Sequence, residues 1–141
     1  PEGFYYINQL NPQTAYDLSL GANYPNASDK VLSDPQRPGN GIYIHGSCVS
    51  VGCIPVNDSD IEEIYLIASA AKASGEEFIP VHIFPIRYNK KNSVEYLENN
   101  TRNSPKIQKF AMQLKSAYDK FEATKELPLI LIDSKGEYVV N

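Results

Sequence analysis

Residues 1–24 alternate apolar and polar positions, and residues 25–41 are rich in turn residues. Apolar or aromatic residues recur at every second position in two runs on either side of Asn11-Pro12. The first run is Phe4 and Tyr6, with Asn8 assigned to the same face, and the second is Tyr16, Leu18 and Leu20. Period-two alternation bounded by turn residues is typical of strands with one buried face. The pattern predicts a β-hairpin or half of a β-meander that faces a core. The three prolines and two glycines between residues 25 and 41 predict a loop after it.

The rest of the chain mixes helical and strand patterns. The predicted elements are a short strand at Ile42–Ile44, a helix at 59–74 that starts at a Ser59-x-x-Glu62 capping box, a buried strand at Phe78–Phe84, a helix at Ser93–Asn100, a helix of about 18 residues from Ser104, and a hairpin of Leu129–Ile132 and Tyr138–Val140 that turns at Gly136. These elements predict a mixed α+β fold, β-rich with appended helices and a C-terminal hairpin.

The composition of the chain argues against some classes of function. The chain has 141 residues, of which 42% are hydrophobic and 21% charged, so one globular domain with one core is expected. A net charge of −4 argues against nucleic-acid binding, which needs clustered Lys and Arg. No apolar run approaches the roughly 20 residues that cross a bilayer, and these residues contain no signal peptide.

The sharpest chemical signal is the loop between His45 and Cys53. A free thiol has a pKa of about 8.5, and an imidazole that takes its proton makes it a strong nucleophile at neutral pH. Gly46, Ser47 and Gly52 are small residues that let the backbone fold tightly around this pair. The loop can therefore supply a nucleophile in Cys53, a base in His45, an orienting group in Ser47 or its neighbours, and oxyanion donors at the amides of Gly52 and Cys53.

These residues resemble a known family. Ile44-His45-Gly46 followed by Ser50-Val51-Gly52-Cys53-Ile54 resembles the active-site signature of the L,D-transpeptidase catalytic domain (YkuD-type), and the short form H-G-x-C-V-S-x-G-C resembles its YafK-like branch. Three other blocks, at residues 1–7, 24–29 and 79–85, resemble the same branch in the same order. Four ordered blocks over about the first 90 residues are far more specific than one Cys/His pair.

The resemblance implies the fold and the activity together. It implies an exported, periplasmic or cell-envelope enzyme that transfers or hydrolyses peptidoglycan stem peptides through a Cys53 thioester, with His45 as base and without a cofactor. Tyr24 and Asn26 fall in a matching block and are assigned to substrate binding. Arg87 joins them because its guanidinium can pair with a substrate carboxylate, although a solvated surface arginine fits equally well. Oligomeric state is not indicated by the sequence.

Two departures from the family pattern affect these expectations. Much of the wider family has His or Lys where Val51 stands and Arg where Pro55 stands, so substrate contacts of those polar side chains do not carry over. The family domain also has strands before the block at residues 1–7. We therefore expect one domain over residues 1–141 that lacks its first strands, with a family-matching part at 1–90 and a helical and hairpin extension at 91–141.

Each feature has a competing interpretation. Cys48 is expected to be a small packed residue, with a disulfide to Cys53 as the alternative. His45, Cys48, Cys53 and His82 are zinc-type ligands, but their spacing lacks the paired C-x2-C arrangement, and His82 in an apolar strand favours a core role. At the level of the whole chain, the rivals to an enzyme of this family are a non-catalytic peptidoglycan-binding module and an intracellular thiol protease or redox protein.

Overall fold

The computed structural model describes residues 1–15 and 17–141. These residues form two compact units, one made of residues 4–26 and 37–81 and the other of residues 1–3, 27–36 and 82–141. We call them the sheet unit and the helical unit. No helix in the described part of the chain has both the length and the apolar content required to cross a bilayer.

A five-stranded sheet organises the sheet unit. Its strands are β1 (Gly3–Thr14), β2 (Asp17–Ala22), β3 (Tyr43–His45), β4 (Ile54–Pro55) and β5 (Ile79–Ile83), in the spatial order β4-β3-β2-β1-β5. The pairs β1–β2 and β2–β3 are antiparallel, whereas β3 and β4 are parallel. A parallel pair requires a connection that leaves one strand and returns alongside it, and here the eight residues 46–53 make that return.

Side chains that are paired across β1, β2 and β3 form two rows, one on each face of the sheet. Leu10, Leu20 and Ile44 are paired across β1, β2 and β3, and they pack with the core residues Ile7, Ile61 and Ala68. One residue along each strand, Asn11, Ser19 and His45 are paired in the same way. Because successive side chains of a strand point to opposite faces, this second set, which we call the polar row, faces away from the apolar core.

The predicted N-terminal hairpin is present, but its turn and its register differ from the prediction. β1 runs through Asn11-Pro12 as far as Thr14, so the turn lies later. The register shifts between Ile7 and Gln9 and again between Asn11 and Thr14, and a proline that cannot donate to the ladder lies within the second irregularity. Ile7 lies in the core and Asn8 is exposed, against the predicted alternation. Tyr16, which the prediction included, lies outside the described residues.

Helix α2 (Asp58–Ala73) covers the apolar face of the sheet with Ile61 and Ala68. Its N-cap is Asn57, whose side-chain oxygen accepts from the Asp60 amide at 2.8 Å. The predicted capping box at Ser59 is therefore wrong by two residues: the Ser59 hydroxyl donates to the Asn57 side chain instead of capping the helix. The predicted stop at Gly75 is confirmed, with a φ of +97° there.

The segment 25–41, predicted to be a loop throughout, contains helix α1 (Ala27–Leu32). This helix fits between Pro25 and Pro35, which the prediction counted as breakers. Ser28 is buried, and its hydroxyl donates to the Gly136 carbonyl at 2.6 Å. A six-residue helix is marginal alone, and this tertiary contact, invisible in local sequence, holds it in place.

The helical unit confirms the elements predicted for the C-terminal third. Helix α3 spans Lys91–Thr101, helix α4 spans Pro105–Thr124, and strands β6 (Ile130–Ile132) and β7 (Tyr138–Val140) form an antiparallel hairpin. Gly136 has a φ of +79° in the turn, as predicted. Because the chain contains both a five-stranded sheet and four helices, the predicted mixed α+β fold is confirmed.

Aromatic side chains pack at the centre of the helical unit. Tyr118 lies edge-on to Phe84 and to Tyr88, with ring centroids 5.3 and 5.4 Å apart. The Tyr88 hydroxyl donates to the Ala111 carbonyl at 2.9 Å, and burial, with the nearby Asp119 and Glu2 carboxylates, raises the pKa of Tyr88 to about 12. His82 lies edge-on to Phe84, and burial lowers the pKa of its imidazole, which favours the neutral ring.

Candidate active site

His45 ends β3 and is held in one orientation. Its side chain is buried, and its Nδ1 lies 2.5 Å from the Gly46 carbonyl oxygen. A carbonyl oxygen only accepts hydrogen bonds, so Nδ1 carries the ring proton in the neutral imidazole and Nε2 keeps its lone pair. The sequence assigned an orienting role to Ser47 or Gly46, and the contact belongs to Gly46. The arrangement leaves Nε2 as the atom that can take a proton.

The loop from Gly46 to Cys53 is fixed at both ends. The Ser47 amide donates to Asp58 Oδ1 at 2.7 Å, with Ser47 in the left-handed region at a φ of 66°. Near the other end, the Ser50 hydroxyl donates to the Cys53 carbonyl at 3.0 Å. These bonds join the loop to the first residue of α2 and to itself. They therefore fix the position of Cys53, the residue directly before β4.

The register of β3 and β4 brings the cysteine to the same face as the histidine. Ile44 pairs with Ile54 and His45 with Pro55, so Cys53, one residue before β4, comes beside Tyr43. Tyr43 and His45 are two residues apart on one strand and share a face. A cavity of about 520 Å³ opens there, and its lining includes Asn11, Ser19, Tyr43, His45, Ser50 and Cys53. The two predicted catalytic residues therefore line one cavity.

The backbone before Cys53 supplies two candidate oxyanion donors. Gly52 has a φ of +104°, a conformation that favours glycine, and a side chain added there would meet no atom within 4 Å. The amides of Gly52 and Cys53 donate to no acceptor among the described residues. Adjacent amides that point to a substrate site can stabilise a developing negative charge.

Comparison with known proteins identifies the family of the chain. The model of the L,D-transpeptidase catalytic domain (YkuD) matches residues 1–83. The chain belongs to this L,D-transpeptidase family. It is 34% identical over 143 aligned residues to the proteins named "Putative L,D-transpeptidase YafK" from Escherichia coli K12 and from Escherichia coli O157:H7. The alignment covers all of this chain and 54% of either relative, so the chain spans about half the length of the curated relatives it matches.

The two cysteines of this L,D-transpeptidase domain differ in their surroundings. Cys53 is half-buried and lines the cavity, whereas Cys48 is exposed and is not part of the lining. The prediction that Cys48 is a packed residue is wrong, because Cys48 is exposed. Both cysteines are free thiols. In residues 1–15 and 17–141, no three His, Cys, Asp or Glu side chains come together in a way that could hold a metal ion.

The three residues assigned to substrate binding are not part of the cavity lining of the L,D-transpeptidase domain. Tyr24 donates through its hydroxyl to the Pro38 carbonyl at 2.7 Å, and buried Asn26 donates to the Phe4 carbonyl at 2.9 Å. Both side chains are thus engaged with backbone of the sheet unit. Arg87 is exposed and belongs to the helical unit. None of the three is among the residues that line the cavity.

Sequence reasoning missed two polar residues of the cavity. Asn11 and Ser19 precede the family signature by more than 20 residues, and they reach the site only because the polar row pairs them with His45. The available signal was a serine between Leu18 and Leu20, on the opposite face to two core leucines. Without the register of β2 against β3, that serine could not be matched to the histidine.

Proposed function

We propose that this chain is the catalytic domain of an enzyme that exchanges or hydrolyses an amide bond of peptidoglycan stem peptides through a Cys53 thioester. The observation that carries the proposal is the presence of Cys53 and His45 in one cavity, with the Nδ1 proton of His45 engaged by the Gly46 carbonyl, which puts the basic lone pair of the ring on Nε2. Membership of the L,D-transpeptidase family supplies the substrate class.

Acylation proceeds by a proton transfer and an attack. His45 Nε2 takes the proton of the Cys53 thiol, and the thiolate sulfur bonds to the carbonyl carbon on the L-centre side of the scissile amide. The amides of Gly52 and Cys53 hold the resulting oxyanion. The carbon–nitrogen bond then breaks, the leaving amine takes the proton from Nε2, and the acyl group remains on sulfur as a thioester.

Deacylation uses the same groups in reverse. An acceptor gives its proton to His45 Nε2 and bonds to the acyl carbon, and the Cys53 sulfur leaves and recovers the proton. An amine from a second stem peptide gives a cross-link, whereas water frees the acyl group as a carboxylate and completes the hydrolysis of the amide. Peptidoglycan lies outside the cytoplasmic membrane, so this function places the protein in the periplasm or cell envelope.

A second candidate function is a non-catalytic peptidoglycan-binding module. It is favoured by one observation: Val51 and Pro55 stand where much of the family has polar side chains, and both are exposed. A site that lost those contacts could still hold a stem peptide. The two functions differ in whether a covalent intermediate forms.

Mass spectrometry separates the two functions. We expect incubation of the chain with stem peptides from peptidoglycan to add to the intact protein the mass of the peptide less its leaving amine, and to locate that adduct on Cys53. Cross-linked dimers or shortened stems should appear among the peptides. Peptides that bind without an adduct and without any new product would contradict the catalytic function and leave the binding module.

Substitution of Gly52 tests the oxyanion donors. Alanine at this positive φ costs about 1–2 kcal/mol and turns the adjoining amides. We expect Gly52→Ala to slow thioester formation by about tenfold or more, since loss of one oxyanion donor has a large effect on rate. Gly75→Ala is the matched control, because Gly75 also has a positive φ with no atom within 4 Å of an added Cβ, but it lies at the end of α2. Equal rates in both variants would contradict the oxyanion role.

A further inference from the structure

The polar row contains a hydrogen bond between side chains in which the Ser19 hydroxyl is the acceptor. Asn11 Nδ2 donates to the Ser19 hydroxyl oxygen at 3.0 Å. Ser19 is 4% exposed, and among the described residues its hydroxyl donates no hydrogen bond. A hydroxyl can donate and accept at once, so the bond from Asn11 uses an acceptor site and leaves the Ser19 proton available. A buried hydroxyl with an unused donor is a costly arrangement unless something else accepts from it.

The position of Ser19 in the cavity indicates the kind of group that would accept a hydrogen bond from its hydroxyl. Ser19 pairs directly with His45 across β2 and β3, and both side chains line the cavity that contains Cys53. Among the described residues, the hydrogen bond of the Ser19 hydroxyl is the one that it accepts from Asn11. The acceptor therefore has to come from the content of the cavity. A donor beside a cysteine nucleophile suits an oxygen acceptor next to the reacting bond, such as the carbonyl of a neighbouring peptide group.

We propose that Ser19 binds the substrate, by donating its hydroxyl proton to a peptide carbonyl oxygen of the stem peptide, and that Asn11 is a positioning residue that fixes the direction of this proton. The inference rests on the proposed function, since it takes the stem peptide as the occupant. It adds to that function a contact from β2, which lies outside the His45–Cys53 loop. Because of this contact, the site should prefer a peptide that has a second carbonyl near the scissile bond to a small amide that lacks one.

Binding in the absence of chemistry gives the direct test. In a Cys53→Ala background, where no thioester can form, the affinity for a synthetic stem peptide is measured with and without Ser19→Ala. We expect Ser19→Ala to weaken binding by about fivefold to tenfold, the size of one lost neutral hydrogen bond in a buried site. Ser19→Thr, which keeps the hydroxyl, should restore most of the affinity. Ser116→Ala, which removes an exposed hydroxyl from α4, serves as the matched control and should bind as the background does.

A second readout separates substrate binding from an effect on the imidazole. With Cys53 intact, the rate at which iodoacetamide alkylates Cys53 reports the Cys53–His45 pair without the peptide. We expect Ser19→Ala to leave this rate unchanged. A parallel fall in alkylation would show that Ser19 acts through His45 and would overturn the proposal, as would unchanged peptide affinity. Asn11→Ala, at a half-buried position, gives the same test if Ser19→Ala does not fold.

The outcomes also distinguish this inference from the proposed function. If the intact chain forms no thioester but Ser19→Ala still weakens peptide binding, the enzyme assignment fails and the Ser19 contact stands. If the thioester forms and Ser19→Ala binds the peptide normally, the contact fails and the enzyme assignment stands. If the Cys53→Ala protein does not bind stem peptides at all, the contact is overturned.

Discussion

Replacement of Cys53 with alanine should reduce thioester formation and product release by at least about 10³-fold, because the alanine side chain has no atom that can carry the acyl group. The chain offers a matched control in Cys48, which has the same chemistry five residues earlier in the same loop but is exposed and outside the cavity lining. We expect Cys48→Ala to keep the wild-type rate. Intact-protein mass spectrometry during incubation with stem peptides measures both variants.

The stability of these two variants decides how the rates are interpreted. Cys53 is half-buried and Cys48 exposed, so replacing either thiol by a methyl group should shift the thermal midpoint by only a few degrees. A folded Cys53→Ala protein without adduct then assigns the loss to chemistry. Loss of the adduct in both variants, or its persistence in Cys53→Ala, would contradict the assignment of Cys53 as nucleophile.

The catalytic pair could be predicted because both residues lie within one short stretch of sequence. His45 ends a strand, Cys53 immediately precedes the next, and the small residues between them mark a tight connection. The sequence did not contain the parallel pairing of β3 with β4, and this pairing places both side chains on one face. β4 has only two residues, too few for a periodic pattern.

Residues that reach the cavity only through the register of the strands could not be predicted from the sequence. Asn11 and Ser19 enter the cavity through pairing across three strands, and a register shift between Ile7 and Gln9 changes which β1 side chains face the core. Period-two reasoning assumes an unbroken strand, so it assigned Phe4, Tyr6 and Asn8 to one face. A single irregularity in the ladder reverses the inward and outward positions beyond it.

Elements held by distant contacts were missed for a related reason. The α1 helix is six residues long, and a bond from Ser28 to the Gly136 carbonyl ties it to a turn more than 100 residues away. Local propensity favoured a loop there because proline and glycine are frequent. By contrast, α4 has 20 residues and a clear apolar period, so its prediction from Ser104 with Pro105 in the first turn was confirmed.

Replacement of His45 with asparagine should slow acylation of Cys53 by about 10²- to 10⁴-fold at neutral pH, the range for loss of a general base. Asparagine is the informative choice, because its amide nitrogen can occupy the place of Nδ1 and keep the bond to the Gly46 carbonyl, while nothing replaces Nε2. The loss can then be assigned to the proton acceptor rather than to collapse of the loop. His82→Asn provides the control, since His82 lies in the helical unit and should leave the rate per folded molecule unchanged.

The pH dependence of alkylation identifies the step that His45→Asn impairs. Iodoacetamide needs only a thiolate and no protonated leaving group, so its reaction with Cys53 isolates proton removal from the later steps. We expect His45→Asn to react slowly at neutral pH and to approach the wild-type rate in alkaline solution, where hydroxide removes the proton without help from the imidazole. A constant ratio of the two rates over that range would mean that His45 orients the loop or the substrate and does not act as the base. Equal alkylation rates for the wild type and His45→Asn at neutral pH would exclude a role for Nε2 in activating the thiol. The remaining role for His45 would then be to protonate the leaving amine.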